Sequence, residues 1–327
     1  MPLRHSLLAV LVTVIWGLNF LAIDYGVADV PPALFVAIRF VVVLVPAIFL
    51  VPRPTARLRD VLLVGAFLSL GQFALLYTAI ALGLPPGIAS LVLQAQVAFT
   101  VVFASVALRE RPTPPQLVGV VIGAIGLLVV GLGRSASTPA LALLLAIAAA
   151  ASWATGNVIV RRLGAAAPAG GAAPNPMSGL SMTVWSALVV PVPMFGLALA
   201  LDGPGAVGYS LTHLSGTAIV STLYTAWLAS LVGYGIWNTL LTRHRAGAVA
   251  PFTMLVPVVG IAAAWAVQGE VPNAAEAGGG LLLLLGVAVT SGLLRFGARR
   301  RPPVAPATHR SPTEVPQADV PKADARL

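Results

Sequence analysis

Two indole–amide pairs are the first groups in this chain able to do chemistry. Trp16 and Asn19 stand three residues apart in "VTVIWGLNFLAIDYG", and Trp153 and Asn157 stand four apart in "AASWATGNVIV". Either spacing puts the pair on one face of a helix. An amide inside an apolar run hydrogen-bonds a polar solute in a cavity, or ties two helices together. Arg39 lies eight residues into the run 31–51, too deep for its head to reach water easily. Its planar donor fork suits a carboxylate. The structural alternative is an arginine held by helix-end carbonyls or by Asp24. Asp24 ends the first apolar run and is the one carboxylate in or near that half's apolar interior. It is a candidate proton carrier, or a helix end beside water.

Gln94 and Gln96 in "SLVLQAQVAFT" lie about 200° apart around a helix, so they cannot both line one cavity. Gln94 is taken as the substrate-facing one. Tyr224, Trp227, Tyr234 and Asn238 fall on one stripe at spacings of 3, 7 and 4, with Trp237 beside them. An aromatic wall with a few polar tips suits a small organic solute, although such stripes also serve packing. The candidate substrate-binding set is thus Trp16, Asn19, Arg39, Gln94, Asn157, Tyr234 and Trp237, with Asp24 as coupling candidate.

No catalytic or metal-binding constellation is expected, and no cofactor. The chain has no cysteine, and its four histidines are scattered, with His244 a loop residue between Arg243 and Arg245. No Walker-type phosphate loop occurs. A membrane-embedded enzyme is therefore the remote alternative.

The elements that must position these residues follow from composition. Of 327 residues, 58% are apolar and 9% charged, where a soluble domain is about a quarter charged. Such a surface suits a bilayer. The net charge of +9 does not signal nucleic acid, because the arginines separate apolar runs and form no face. Ten apolar segments, roughly 5–25, 31–51, 60–83, 86–108, 114–133, 139–161, 177–200, 215–242, 247–268 and 275–296, each approach the length that spans a hydrocarbon core. Backbone groups in lipid must be satisfied within the segment, so all are expected to be helices. The first is a retained span, since it runs past a signal-peptide core without a cleavage site.

Of the 19 basic residues, 17 fall on one side of this ten-span arrangement, Arg134 alone on the other, and Arg39 within a span. The positive-inside rule then puts both termini in the cytoplasm. The tail 297–327, rich in Pro, Arg and Ala, is expected to be a disordered basic extension whose Arg299–Arg301 cluster stops transfer. The "GVVIG" of Gly119–Gly123 suits close helix packing, within the bundle or between two copies, so the chain is expected as a monomer or homodimer.

The chain also repeats itself. Trp16 aligns with Trp153, Glu110 with Glu270, Pro112 with Pro272 and Gly126 with Gly286. Five spans separate the copies, and an odd number reverses orientation. The expected fold is an all-α integral membrane protein of ten transmembrane helices in two inverted five-helix repeats, 1–134 and 135–296. This is a recurrent plan of secondary transporters, with the site between the halves.

"WGLNF", the "LRER" after the fourth span, "PPGIASLVLQAQVAFT", "VGYGIWNTLL", "LVPVVG" and "WSALVVPVP", in this order over residues 5–296, resemble the EamA branch of the drug/metabolite transporter superfamily. Within it they are most like a subgroup that exports O-acetylserine and cysteine. The resemblance implies a ten-helix bundle with a central cavity and efflux of small amino acids and related metabolites across the bacterial inner membrane. The alternative of the same fold is a multidrug or nucleotide-sugar-like carrier. Relatives often carry Lys near the end of the first span, where this chain has Asp24.

Overall fold

The computed structural model describes residues 2–133, 138–165, 178–244 and 249–294, and its regular elements are all helical. Eight helices are long and apolar enough to cross a membrane. They are α1 (Leu3–Asp29), α2 (Pro32–Leu50), α3 (Leu58–Ala81), α4 (Pro86–Ala107), α5 (Pro114–Leu132), α6 (Ala140–Leu163), α7 (Leu180–Leu201) and α9 (Gly216–Leu240). Two shorter apolar helices follow, α10 (Phe252–Gln268) and α11 (Ala274–Thr290). Helices thus occupy all ten apolar segments. One more, α8 (Gly203–Thr212), fills the connection between α7 and α9, which the apolar pattern leaves as a loop. Arg134 and the tail with its Arg299–Arg301 cluster lie outside the described residues.

The starts and stops are local chemistry. Pro32 and Pro86 occupy first helical turns, where a missing N–H costs nothing. Thr113 with Gln116 and Asn273 with Glu276 form capping boxes at the starts of α5 and α11. Gly269, at φ 70°, ends α10 in the left-handed conformation a side chain resists.

Beside a buried core that includes Leu34, Phe35, Leu76 and Leu84, helix contact relies on small residues, as expected where lipid replaces water. The α5–α11 seam shows this best. A Cβ on Gly286 would lie 2.5 Å from the Gly123 nitrogen, and one on Gly126 would lie 2.6 Å from the Gly279 carbonyl oxygen. The glycine face of α5 is therefore occupied inside the bundle by α11. The outward faces carry large apolar side chains such as Phe49, Val192 and Leu132, all more than three-quarters exposed, which lipid would cover.

Several helices depart from α geometry near the polar residues. Ala66–Gly71 of α3 and Tyr224–Gly233 of α9 are π-helical, and Leu93–Ala95 of α4 is a 3₁₀ turn. Such interruptions in α-helices cluster at functional sites.

Candidate functional site

Arg39 is the centre of the polar interior. It projects from the second turn of α2 and is 2% exposed. Its Nη1 donates to the Tyr77 hydroxyl on α3 at 2.7 Å, and its Nη2 donates to the Ser230 hydroxyl on α9 at 3.0 Å. The guanidinium carbon stands 4.2 Å from the Phe73 ring centroid, with Phe40 at 5.4 Å. Its buried Nε has no partner among the described residues.

Magnitudes decide how this charge survives. Insertion scales put an arginine at mid-helix about 2.5–3.5 kcal/mol uphill. Two hydrogen bonds from a charged donor at about 1.5–3 kcal/mol each, and a desolvated cation–π contact of about 2 kcal/mol, offset that. Aromatic faces and hydroxyls thus hold the charge without neutralising it. The one ion pair among the described residues is Arg161 with Glu110, at 2.8 Å and partly exposed. The structural alternative, Arg39 against Asp24, is overturned: Asp24 Oδ2 accepts instead from Gln268 Nε2 at 2.7 Å.

The aromatic part of the expected set assembles beside α1. Trp16 packs on Tyr234 at 5.1 Å and on Trp237 at 5.3 Å between centroids. Its indole N–H donates to the Ala229 carbonyl at 3.0 Å. Gly233 makes this approach possible, since a Cβ there would meet Trp16 Nε1 at 2.6 Å. Tyr234 lies close enough to Arg39 for the guanidinium charge to act on its hydroxyl. Asn19, one turn beyond Trp16, is 8% exposed, and its Oδ1 has no partner among the described residues.

The amides hydrogen-bond across helix contacts. Gln94 Nε2 donates to the Thr253 carbonyl at 2.9 Å, which ties α4 to α10. Asn157 Nδ2 donates to Gln96 Oε1 at 3.0 Å, so Gln96 is the partner of Asn157 across the α4–α6 contact. The long aromatic stripe does not form one wall. Tyr224 donates to the Ile15 carbonyl at 2.9 Å, while Trp227 is 48% exposed and donates to the Val42 carbonyl at 3.1 Å. Spacings of 3, 7 and 4 hold one face only at 3.6 residues per turn, and the π-helical segment between Tyr224 and Gly233 turns more slowly.

Tyr77 and Ser230 are the site residues that sequence reasoning missed. A tyrosine and a serine in apolar runs carry no pattern of their own. The one available clue was Arg39, whose burial demands partners. A second oversight is His244, whose Nε2 lies 2.6 Å from His5 Nδ1.

Toward the opposite end of α1, the Asp24 charge acts on Glu270. Glu270 sits in the α10–α11 loop, with Oε2 buried and unpartnered and a hydrogen bond from the Gly87 backbone. Burial first, and then the nearby Asp24 charge, push the Glu270 pKa above its usual value.

Two clefts stand away from Arg39. One of about 290 Å³ is apolar and lies between α4, α5 and α11, beside Phe99, Gly123 and Val287. The other, of about 210 Å³, lies between α1 and α9 and includes Arg4 and Arg243. A closed aromatic cluster around a buried guanidinium can orient a small anion once the helices part, and it offers no nucleophile with a base.

The chain matches known proteins. Residues 3–132 and 140–292 match the model of the EamA-like transporter family. A protein of Salmonella typhimurium named "Probable amino-acid metabolite efflux pump" is 39% identical over 304 residues, covering 92% of this chain and 98% of the relative. Its Escherichia coli namesake is 38% identical over the same shares. A "Probable terminal-alkyne amino-acid exporter" of Streptantibioticus cattleyicolor is 25% identical over 88% of this chain and 93% of the relative. One solved crystal structure is similar in fold, with TM-score 0.57 and 20% identity over 89% of this chain and 97% of its own. The many apolar helices and these matches make the chain a multi-pass membrane transporter and not an enzyme. It belongs to the EamA-like transporter family.

Proposed function

We propose that the chain exports small amino acids and related metabolites, with O-acetylserine and cysteine the leading candidates, across the bacterial inner membrane by alternating access. The carrying observation is Arg39: a guanidinium 2% exposed, held by hydroxyls and aromatic faces, with no carboxylate paired to it and its Nε unused among the described residues. In this reading Arg39 holds the substrate carboxylate. Asn19, Asn157 and Gln96 orient its polar groups, and Trp16, Tyr234 and Trp237 wall the site. Gln94 also faces the substrate in this reading, while its Nε2 holds α4 against α10 through the Thr253 carbonyl. The names of the relatives in Salmonella, Escherichia and Streptantibioticus support amino-acid export. A pump for cationic drugs would want a deep carboxylate where this chain has an arginine.

Two inverted halves are supported by matching local structure. The capping boxes of α5 and α11 occupy equivalent positions, and their glycine faces meet. Asp24 lies eight residues past Trp16, and Arg161 lies eight past Trp153. Arg161 pairs with Glu110; in the other half the Asp24 charge acts on Glu270. One half thus has a cation on its glutamate and the other has a second carboxylate. Two carboxylates at one site cannot both ionise cheaply. In our reading Asp24 carries the proton that substrate export draws on, with Glu270 acting on it through its charge and both termini cytoplasmic. The π-helical segments of α3 and α9, next to Tyr77 and around Ser230, are where the helices flex to admit substrate.

The test is uptake of labelled cysteine and O-acetylserine into everted membrane vesicles, with and without an imposed pH gradient, against vesicles lacking the protein. Gradient-dependent uptake is expected. Uptake of neither solute would overturn the substrate assignment, and uptake indifferent to the gradient would overturn the coupling.

A further inference from the structure

The cleft between α1 and α9 has a shape unlike that of the Arg39 site. Arg4, His5 and Leu8 line it from α1; Gly235, Ile236, Thr239, Leu240 and Arg243 line it from the last turns of α9, which continue to Arg243. Its basic residues gather at one end, where α1 begins and α9 finishes. From Arg243 to Gly235 is eight residues, about 12 Å along a helix. Over that distance the lining changes from guanidinium groups to Leu8, Ile236 and a bare glycine. Gly235 borders open space, since a Cβ there would meet no atom within 4 Å.

The charged end lacks a counterion. Arg4 and Arg243 are exposed, and neither pairs with a carboxylate among the described residues, where Arg161 with Glu110 is the one ion pair. Next to them in sequence, His5 Nδ1 and His244 Nε2 meet at 2.6 Å. In that contact one nitrogen donates and the other accepts, so the pair carries at most one positive charge. Two arginines and an imidazole pair at the end of a transmembrane helix pair, opening onto an apolar groove, match one amphiphile: an acidic headgroup on acyl chains. Basic pockets between membrane helices recognise such headgroups.

We propose that this cleft is a binding site for an anionic phospholipid, whose phosphate lies between Arg4 and Arg243 and whose chain follows the groove past Ile236 and Leu8 to Gly235. The lipid crosses the contact between α1 and α9, the helices that carry Trp16 and Tyr234. Its occupancy therefore bears on how those helices part.

The experiment uses the full-length protein, purified in detergent and depleted of lipid, with dioleoyl phosphatidylglycerol, dioleoyl phosphatidylcholine and glycerol 3-phosphate as probes. Binding is read by native mass spectrometry and by the rise in apparent Tm that a ligand of the folded state produces. An arginine near an acidic lipid surface is worth about fivefold in affinity. Phosphatidylglycerol is expected to bind more than tenfold tighter than phosphatidylcholine. The double variant Arg4→Gln/Arg243→Gln, at two exposed positions, should erase that preference. Gly235→Leu, which fills the groove and leaves the arginines in place, should weaken both lipids several-fold. An undiminished preference in the double variant would overturn the proposal. So would wild-type lipid affinity in Gly235→Leu, or glycerol 3-phosphate binding as tightly as the lipid, since an anion alone would then suffice.

Discussion

Arg39 on α2 and Tyr77 on α3 are joined by a 2.7 Å hydrogen bond in a place where neither is exposed. Tyr77 is completely buried, with its ring packed on Phe35 and Phe73. The pair fixes the guanidinium plane while leaving its charge uncancelled.

The two residues should fail differently when replaced. Arg39→Gln removes the carboxylate contact, and export should fall by one to two orders of magnitude, the worth of a charge-assisted hydrogen bond of about 1.5–3 kcal/mol. Arg39→Lys should not restore it, because a point charge lacks the fork that reaches Tyr77 and Ser230 together. Tyr77→Phe keeps the charge but leaves a buried donor unpaired, for a loss of about 1–3 kcal/mol of stability. Vesicle transport and thermal melting of each variant at matched protein level separate these outcomes.

Burial of Glu270, with the Asp24 charge acting on it, predicts a pH dependence with a definite sign. The Glu270 pKa is raised in the folded state, by burial and by Asp24, so the fold binds that proton more tightly than the unfolded chain does. Its contribution to stability is full below the ordinary carboxylate pKa and is lost as pH rises through the raised value. Glu270→Gln should flatten this part of the Tm-against-pH curve. Asp24→Lys should re-create what Arg161 and Glu110 form in the other half, raise Tm near pH 7–8 and abolish the response to a pH gradient. Melting curves from pH 4 to 9, with transport assays alongside, test both variants.

At the α5–α11 seam two glycines should answer oppositely. Gly286→Ala places a methyl 2.5 Å from a backbone nitrogen and should cost at least about 1–3 kcal/mol, with lower expression. Gly123→Ala adds a methyl where no atom lies within 4 Å and should be nearly neutral. Thermal melting of the two purified proteins distinguishes them.

Gln94 and Gln96 offer another contrast. Gln94→Ala breaks a bond to a backbone carbonyl and should lower stability by about 1 kcal/mol. Gln96→Ala frees the Asn157 amide and should change substrate affinity. A double-mutant cycle of Gln96 with Asn157 should show coupling of about 0.5 kcal/mol or more in substrate binding.

What the sequence disclosed followed from the rarity of polar groups in it. A charge or amide in a run of valine and leucine has few reasons to exist, so Asn19, Arg39 and Asn157 stood out, and the apolar run lengths marked where helices would form. Partners were hidden by distance along the chain: Tyr77 and Ser230 lie 38 and 191 residues from Arg39, and no local period links them. The π-helical turns of α9 were hidden too, because apolar periodicity in a membrane helix is weak when both lipid and neighbours are apolar. That is why the stripe from Tyr224 to Asn238 looked continuous and is not. The choice between Gln94 and Gln96 depended on which neighbour each helix meets, and the 3₁₀ turn at Leu93–Ala95 rotates both. The contact of His5 with His244 needed the first turn of α1 beside the last of α9, a fact of topology alone.

The central claim is that Arg39 holds a substrate carboxylate. The most direct test is uptake of labelled O-acetylserine by everted vesicles, challenged with cysteine or with cysteine methyl ester, in the wild type and in Arg39→Gln at equal protein level. Competition by cysteine and not by its ester, together with loss of uptake in the variant, is the predicted result. Equal competition by the ester, or undiminished uptake by Arg39→Gln, would contradict it.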